Sequence, residues 1–146
     1  MLQVTETHQT FITKIINNPY NTPNMKKTVL IVDDKHEIRN LLHMFLSKDY
    51  NIVAFENGKS AFDWLQLGNL PDGIISDIEM PEIDGRKFLG LLKSSGIFGQ
   101  IPIIMLSSIH NSDERIRLLD MGADDYLVKP FNPAELKLRL SKLMKN

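Results

Sequence analysis

The chain has 146 residues, of which 42% are hydrophobic and 24% are charged, and this predicts one globular domain. Because the sequence contains no cysteine, it excludes disulfides, zinc ribbons, thiol nucleophiles and iron–sulfur ligation. The formal net charge of -1 gives no overall basic surface for nucleic acid or an anionic membrane.

Targeting and membrane segments are not indicated either. No apolar run approaches the roughly 20 residues that a membrane helix needs. The first 25 residues lack the charged start and apolar core of a signal peptide. We therefore expect a soluble, cytoplasmic protein.

Residues 1–27 differ from the rest of the chain in charge and composition. They carry a net charge of +2, whereas residues 28–146 carry -3. The segment over 17–24 is rich in Asn and Pro, which is typical of a turn or linker. We therefore predict an N-terminal extension over 1–27 and a compact domain over 28–146.

Four apolar residues within the extension have helical spacing. Phe11 and Ile15 are four residues apart, as are Ile12 and Ile16, and Pro19 would end such a helix. A helix this short is not stable alone. The segment is therefore either a disordered or loosely docked extension, or one that binds a partner or mediates dimerisation.

Short apolar runs and helix-spaced apolar residues alternate five times after residue 27. The runs predict strands at 28–32, 51–55, 73–76, 101–106 and 126–128. Each run is followed by apolar residues that indicate a helix, and the last helix is expected to be capped near Asn132.

Strands that alternate with helices in this way pair in parallel through right-handed crossovers. We therefore predict an α/β fold of the flavodoxin-like type, a doubly wound five-stranded parallel sheet in the order 2-1-3-4-5 with five helices. The units are too few for an eight-stranded barrel, and no sequence repeat indicates a solenoid. Such sheets bind ligands at the carboxyl ends of their strands.

Polar side chains stand at four of the five predicted strand ends. They are Asp33 and Asp34 after the first strand, Asp77 after the third, Ser107 and Ser108 after the fourth, and Lys129 after the fifth. Each taken singly is explained as a helix cap or an ordinary loop residue. Their joint occurrence at one edge predicts a functional site, which Asn57 after the second strand does not fit.

The residue types at this edge indicate a particular chemistry. Three nearby carboxylates repel one another unless a cation shares the site, and oxygen ligands without His or Cys favour Mg²⁺ over Zn²⁺. A carboxylate nucleophile, a metal ion, a lysine and a hydroxyl are the parts needed to move a phosphoryl group onto an aspartate. Lys129 and Ser107 would stabilise phosphoryl oxygens that the metal ion does not reach.

Four segments carry specific motifs. They read VLIVDD at 29–34, DIEMPEIDG at 77–85, PIIMLSS at 102–108 and GADDYLVKPF at 122–131. With these motifs, residues 28–144 resemble the CheY-like receiver domain of two-component response regulators.

The resemblance implies roles for the acidic residues. Asp77 matches the phosphoacceptor that attacks the phosphohistidine of a partner kinase. Asp34 matches the direct Mg²⁺ ligand, Asp33 matches the ligand that acts largely through water, and Asp77 itself is also expected among the metal ligands. The backbone carbonyl of Glu79 completes the protein ligands, and Mn²⁺ is an expected substitute for Mg²⁺.

The resemblance also implies how the phosphoryl group acts on the domain. Ser107 matches the switch hydroxyl, more often Thr in this family, and Lys129 matches the lysine that pairs with the phosphoryl group. The Lys129-Pro130 bond is expected to be cis. Tyr126 matches the aromatic residue that couples Ser107 to the face formed by the fourth helix, the fifth strand and the fifth helix. Glu79 is expected to affect the phosphorylated lifetime, in a direction that the sequence leaves open.

We therefore predict a phosphorylation-driven switch that is not an enzyme beyond self-catalysed phosphotransfer and autodephosphorylation. The expected partners are a sensor histidine kinase or phosphotransfer protein, and downstream a protein partner or a second copy of the chain. No direct contact with nucleic acid or membrane is expected. Because the sequence stops soon after the last predicted helix, we expect either a stand-alone receiver or a fragment of a longer regulator.

Three other functions are alternatives to this prediction. A receiver-like interaction module without phosphate cycling would not need the intact acidic residues. Asp77-Ile78-Glu79 distantly resembles the Asp-x-Asp motif of aspartate-nucleophile phosphatases. Such an enzyme would need further catalytic segments, for which the chain is too short. Dinucleotide binding is disfavoured because no G-x-G-x-x-G follows the first strand.

Overall fold

The computed structural model describes residues 26–145. The helix predicted within 11–16 lies outside the described residues, and the boundary predicted after residue 27 stays a prediction. Across residues 26–145, no helix combines the length and the apolar character needed to cross a membrane.

The strands form one parallel sheet. They are β1 (Thr28–Val32), β2 (Asn51–Phe55), β3 (Gly73–Asp77), β4 (Ile103–Ser107) and β5 (Asp125–Val128). All neighbours pair in parallel, in the order β2-β1-β3-β4-β5. The predicted fold is confirmed.

The boundaries of three strands differ from the sequence expectation. β3 ends one residue later, at Asp77, β5 begins one residue earlier, at Asp125, and both ends of β4 are shifted. β4 begins at Ile103, two residues later than predicted, because Phe98–Gln100 form a 3₁₀ turn directly before it. Pro102 also has no amide N–H to donate to a neighbouring strand. The same strand runs one residue further than predicted, so that Ser107 is its last residue.

Five α-helices connect and follow the strands. They are α1 (His36–Leu46), α2 (Gly58–Gln66), α3 (Gly85–Lys93), α4 (Ser112–Asp120) and α5 (Pro133–Leu143). The side chain of Asn132 accepts hydrogen bonds from the first turn of α5, as expected. Asn57 caps α2 in the same manner, which explains why this residue is not part of the cluster of polar side chains.

The sheet separates two apolar layers. Alternate residues of β1 enter opposite layers, with Leu30 and Val32 on one side and Val29 and Ile31 on the other. α2, α3 and α4 cover the first side, whereas α1 and α5 cover the second. β3 and β4 are buried along their whole length, so the polar residues at their ends are held between these layers.

The loop between β3 and α3 turns back tightly over the end of β3. A Cβ atom on Gly85 would lie 2.2 Å from the carbonyl oxygen of Asp77, so only glycine fits at this approach. The amide of Gly85 donates to the carbonyl of Ile78 at 2.7 Å. This contact fixes the loop beside the Asp77 side chain.

Candidate functional site

Three carboxylates meet at the carboxyl edge of the sheet. Asp33 follows β1 directly, Asp34 comes next, and Asp77 is the last residue of β3. Each offers an oxygen atom, and these atoms all lie within 4.8 Å of one another. Asp33 and Asp77 are buried, whereas Asp34 is exposed. They converge because β1 and β3 are parallel neighbours whose carboxyl ends coincide.

Lys129 connects two of these carboxylates. Its ammonium group donates to Asp33 Oδ2 at 3.0 Å and to Asp77 Oδ1 at 3.1 Å. Burial lowers the pKa of Lys129, but the hydrogen bonds and charges of Asp33 and Asp77 outweigh it and hold that pKa above its usual value. The lysine is therefore a fixed cation. The peptide bond that joins it to Pro130 is cis.

The two oxygens of Asp77 have different surroundings. Oδ1 accepts hydrogen bonds from Lys129 and from the backbone amide of Ile78, at 2.9 Å for the amide. Oδ2 is buried without a hydrogen-bond partner among the described residues. Burial first, and then the charge of Asp33, raise the pKa of Asp77 from 3.8 to about 6, although Lys129 and Ile78 oppose the shift.

These observations fit a site that binds a cation. An unpaired buried carboxylate oxygen is costly unless a ligand satisfies it. The donors are carboxylate oxygens without nitrogen or sulfur, which is the set that hard cations prefer. The aspartate cluster can therefore hold a metal ion.

Asp33 is oriented by contacts that the sequence did not indicate. The backbone amide of Lys35 donates to its Oδ1 at 2.9 Å, and the guanidinium of Arg39 donates to its carbonyl at 2.7 Å. α1 has no side-chain cap, so Asp33 does not serve as the cap that its position could suggest. The one sequence feature that could have indicated these contacts was the position of Arg39, one turn into the predicted helix.

Ser107 and Tyr126 meet at the loop that follows β4. The buried hydroxyl of Ser107 accepts a hydrogen bond from the amide of Ile109 at 3.0 Å. The Tyr126 hydroxyl donates to the carbonyl of Ile109 at 3.2 Å. Both side chains thus contact one residue of the loop, and Ser107 forms no hydrogen bond with Asp77. The sequence pattern did not single out Ile109.

The remaining predicted residues lie beside this group. Ser108 donates a long hydrogen bond of 3.4 Å to Glu79 Oε1, which joins the loops after β3 and β4. The backbone amide of Lys129 donates to the carbonyl of Ser107 at 2.7 Å. An open surface cavity of about 370 Å³ adjoins Tyr126 and the start of α4.

Comparison with known proteins shows the family to which the chain belongs. The sequence model of the response regulator receiver domain matches residues 29–141, most of the chain. The chain belongs to the response regulator receiver domain family. Receiver domains of this family are signalling switches of two-component systems rather than classical enzymes.

Individual relatives contain a similar segment within longer proteins of different kinds. Histidine kinase P4 of Formosa agariphila is 38% identical over 125 residues, which cover 86% of this chain and 9% of the kinase. Transcriptional regulatory protein SrrA of Staphylococcus aureus is 38% identical over 122 residues, which cover 83% of this chain and 49% of that protein. The receiver domain thus spans about half the length of one curated relative and a small part of the other.

A solved structure gives the same architecture. A response regulator from Chloroflexus aurantiacus, described as putative in its own name, superposes with a TM-score of 0.77 at 31% identity. The match covers 83% of this chain and 99% of that chain. The receiver fold therefore extends over the whole of that neighbour.

Proposed function

We propose that Asp77 accepts a phosphoryl group from a phosphohistidine in a Mg²⁺-dependent transfer, and that the modified domain switches its α4-β5-α5 face. The observation that carries this proposal is the Asp77 carboxylate, whose free Oδ2 is buried beside Lys129 and two further aspartates. Membership of the receiver family supports the same role.

The transfer uses the two oxygens of Asp77 differently. Oδ1 is held by Ile78 and Lys129, so Oδ2 is the nucleophile. A new bond forms between Oδ2 and phosphorus while the bond from phosphorus to the donor imidazole breaks, and its electron pair stays on the imidazole nitrogen. With a pKa of about 6, Asp77 is mainly ionised at neutral pH and can attack.

The aspartates would hold the cation in unequal ways. Within residues 26–145, no hydrogen bond engages the Asp34 carboxylate, whose Oδ1 lies 3.8 Å from the ammonium of Lys35, and it would bind directly. Both oxygens of Asp33 already accept hydrogen bonds and would act through water. The Glu79 backbone carbonyl would complete the protein ligands. When bound, Mg²⁺, or Mn²⁺ in its place, neutralises charge that develops on the phosphoryl oxygens.

Lys129 and Ser107 would bind the oxygens of the new phosphoryl group. Lys129 is already directed at Asp77 and stays protonated. The Ser107 hydroxyl would leave Ile109 and donate to a phosphoryl oxygen, which removes both of its hydrogen bonds with Ile109 and leaves the one from Tyr126. Tyr126 contacts the same loop residue, so the change at Ser107 reaches β5 and α4 as a shift between two states.

The face of α4, β5 and α5 is the proposed output surface. Ile116 of α4 is 59% exposed and Leu138 of α5 is 56% exposed, as befits a surface that receives a protein partner or a second copy. A sensor histidine kinase or phosphotransfer protein would supply the phosphoryl group, in the cytoplasm. The domain would contact neither nucleic acid nor membrane directly, and its only catalysis would be of its own phosphorylation and dephosphorylation.

A mass measurement tests the proposal. Incubation with acetyl phosphate and Mg²⁺ is expected to add one phosphoryl group to the wild type and none to Asp77→Asn. Asp63→Asn is the matched control, because Asp63 is an exposed aspartate paired with Lys59 on α2, and it is expected to label as the wild type does. A wild type that gains no adduct, or Asp77→Asn that labels equally, would contradict the proposal and favour an interaction module without phosphate cycling.

A further inference from the structure

Arg86, in the first turn of α3, is surrounded by three carboxylates from different parts of the chain. Its Nε donates to Glu114 Oε2 at 2.6 Å, and its Nη1 donates to Asp84 Oδ2 at 3.3 Å. Its Nη2 pairs closely with Glu114 and lies 3.9 Å from Glu79 Oε2. One guanidinium group is therefore close to three acidic side chains.

Glu114 binds Arg86 most closely. It lies in the first turn of α4, is only 7% exposed, and its Oε1 has no hydrogen-bond partner among the described residues. A buried carboxylate depends on its ionic partner, because an unpaired charge in a protein interior is strongly unfavourable. Arg86 thus attaches the start of α4 to α3.

Glu79 is the competing carboxylate. It stands two residues after Asp77. Its Oε2 is buried and forms no hydrogen bond with the part of the chain that the structure describes, although the guanidinium of Arg86 is 3.9 Å away. Its Oε1 accepts the hydrogen bond from Ser108. A small movement of the guanidinium toward Glu79 would satisfy this oxygen at the expense of Glu114.

We propose that Arg86 is a positioning residue that couples phosphorylation of Asp77 to the first turn of α4, by dividing its charge between Glu79 and Glu114. The inference rests on the proposed function. A phosphoryl group on Asp77 adds negative charge close to Glu79, which attracts the guanidinium and weakens its bond to Glu114. In the reverse direction, a change at Glu114 that releases the guanidinium toward Glu79 makes the potential near Asp77 more positive and so changes the rate at which Asp77 is phosphorylated.

This reverse effect can be measured with acetyl phosphate. Asp77 attacks phosphorus, the bond from phosphorus to the acetate oxygen breaks, and acetate leaves with the electron pair. The rate constant for adduct formation is followed by intact mass in wild type, Glu114→Gln, Arg86→Met and the double variant. Glu114→Gln frees the guanidinium to approach Glu79, and the added positive potential is expected to speed labelling several-fold.

The other two variants give the opposite result. Arg86→Met is expected to slow labelling several-fold, and the double variant is expected to label as Arg86→Met does, because Glu114 acts on the site only through the guanidinium. The double variant leaves no buried unpaired carboxylate at position 114, so it keeps the test valid if Arg86→Met alone fails to fold. Arg86→Lys, which keeps the charge without the fork of donors, is expected to recover part of the rate.

Two matched controls separate this coupling from general electrostatics. Asp113→Asn removes one negative charge from the same turn of α4, at an exposed side chain without a contact to Arg86. Arg139→Met removes an arginine that also lies between two carboxylates, Asp125 and Glu135. At an ionic strength of about 0.5 M, which screens exposed charges more than buried pairs, neither is expected to change the rate.

Each outcome decides a different point. A wild type that gains no adduct overturns the proposed function and this inference with it. The inference alone is overturned if the wild type is labelled but Glu114→Gln is labelled at the same rate as the wild type. It is also overturned if Glu114→Gln and Asp113→Asn are labelled at the same rate. The same holds if Glu114→Gln changes the rate equally in the presence of Arg86 and in the Arg86→Met background.

Discussion

Asp77 carries a negative charge in a place that favours the neutral form. Its side chain is 2% exposed, and one of its oxygens has no partner among the described residues. A cation or a covalent modification at Oδ2 would relieve this unfavourable state. The features that make the aspartate reactive therefore also destabilise the unmodified protein.

Replacement of Asp77 should stabilise the metal-free protein in a pH-dependent manner. The folded-state pKa is raised from 3.8 to about 6, so the favourable effect of protonated Asp77 is complete below pH 4 and is lost as the pH rises through 6. At pH 8, with a chelator present, Asp77→Asn is expected to be more stable than the wild type by up to about 3 kcal/mol.

Urea denaturation at pH 8 and at about pH 4 measures this difference. The difference in free energy of unfolding should shrink to well below about 1 kcal/mol at the lower pH, because Asp77 is then protonated in the folded state and about half protonated in the unfolded state. A stability difference that is the same at both pH values would show that the ionisation of Asp77 is not its cause.

Asp34 is expected to contribute most to metal affinity, since its carboxylate is the one that no hydrogen bond occupies. Mg²⁺ at a hundred times its dissociation constant stabilises a folded protein by about 2.7 kcal/mol. The melting temperature of the wild type should therefore rise with Mg²⁺, and that of Asp34→Asn should rise much less. Asp63→Asn, an exposed control on α2, should respond as the wild type does.

At the scale of elements, the site depends on how α3 leaves β3. The loop passes so close to Asp77 that α3 can begin only with glycine at position 85. Asp84 then caps the helix by accepting from the amide of Lys87 at 3.0 Å. The start of α3 thus determines the position of both the Asp77 loop and Arg86.

Two glycines of α3 provide a matched comparison. In Gly85→Ala the new Cβ would meet backbone atoms of Asp77 and Ile78 at 2.2 and 2.7 Å, so we expect a loss of more than about 2 kcal/mol and slower phosphorylation. In Gly90→Ala the new Cβ meets nothing within 4 Å. This variant should gain about 0.5–1 kcal/mol from helix propensity and label normally.

Thermal unfolding and adduct formation together test this pair. A Gly85→Ala protein that is as stable as Gly90→Ala would mean that the loop relaxes easily. The close approach at Gly85 would then not be what positions Asp77.

At the scale of the whole molecule, the site and the proposed output face share the loop after β4. The amide of Ile109 contacts Ser107, and its carbonyl contacts Tyr126 of β5. Because α4 begins three residues further on, a change at this loop residue would also be expected to move the start of that helix. The route is short and consists of hydrogen bonds that can form or break individually.

Removal of the Tyr126 hydroxyl should weaken this route without preventing phosphorylation. In Tyr126→Phe the ring keeps its packing, but the 3.2 Å hydrogen bond to Ile109 is lost. Acetyl phosphate is expected to change the amide hydrogen exchange of residues 108–120 in the wild type, and to change it less in the variant. An unchanged response in the variant would exclude this hydrogen bond as part of the route.

The sequence predicted the fold well because the fold depends mainly on which positions are apolar and little on which apolar residue occupies each of them. Runs such as 28–32 are typical of strands that are buried on both faces. The alternation of strands and helices along the chain could therefore be predicted from these runs. The start of β4 was wrong by two residues, because the 3₁₀ turn at Phe98–Gln100 has no periodic signal. Boundaries of this kind depend on local turns rather than on burial.

The amino-acid sequence by itself determined the alternation of strands and helices and the polar residues at the strand ends, because both follow from local spacing. Only the tertiary structure decided which atoms meet. It left one oxygen of Asp77 without a partner, and it placed Ile109 between Ser107 and Tyr126. It also brought Arg86 to Glu114, 28 residues away. Such contacts depend on how loops and helix starts pack in three dimensions, and spacing along a chain does not encode them.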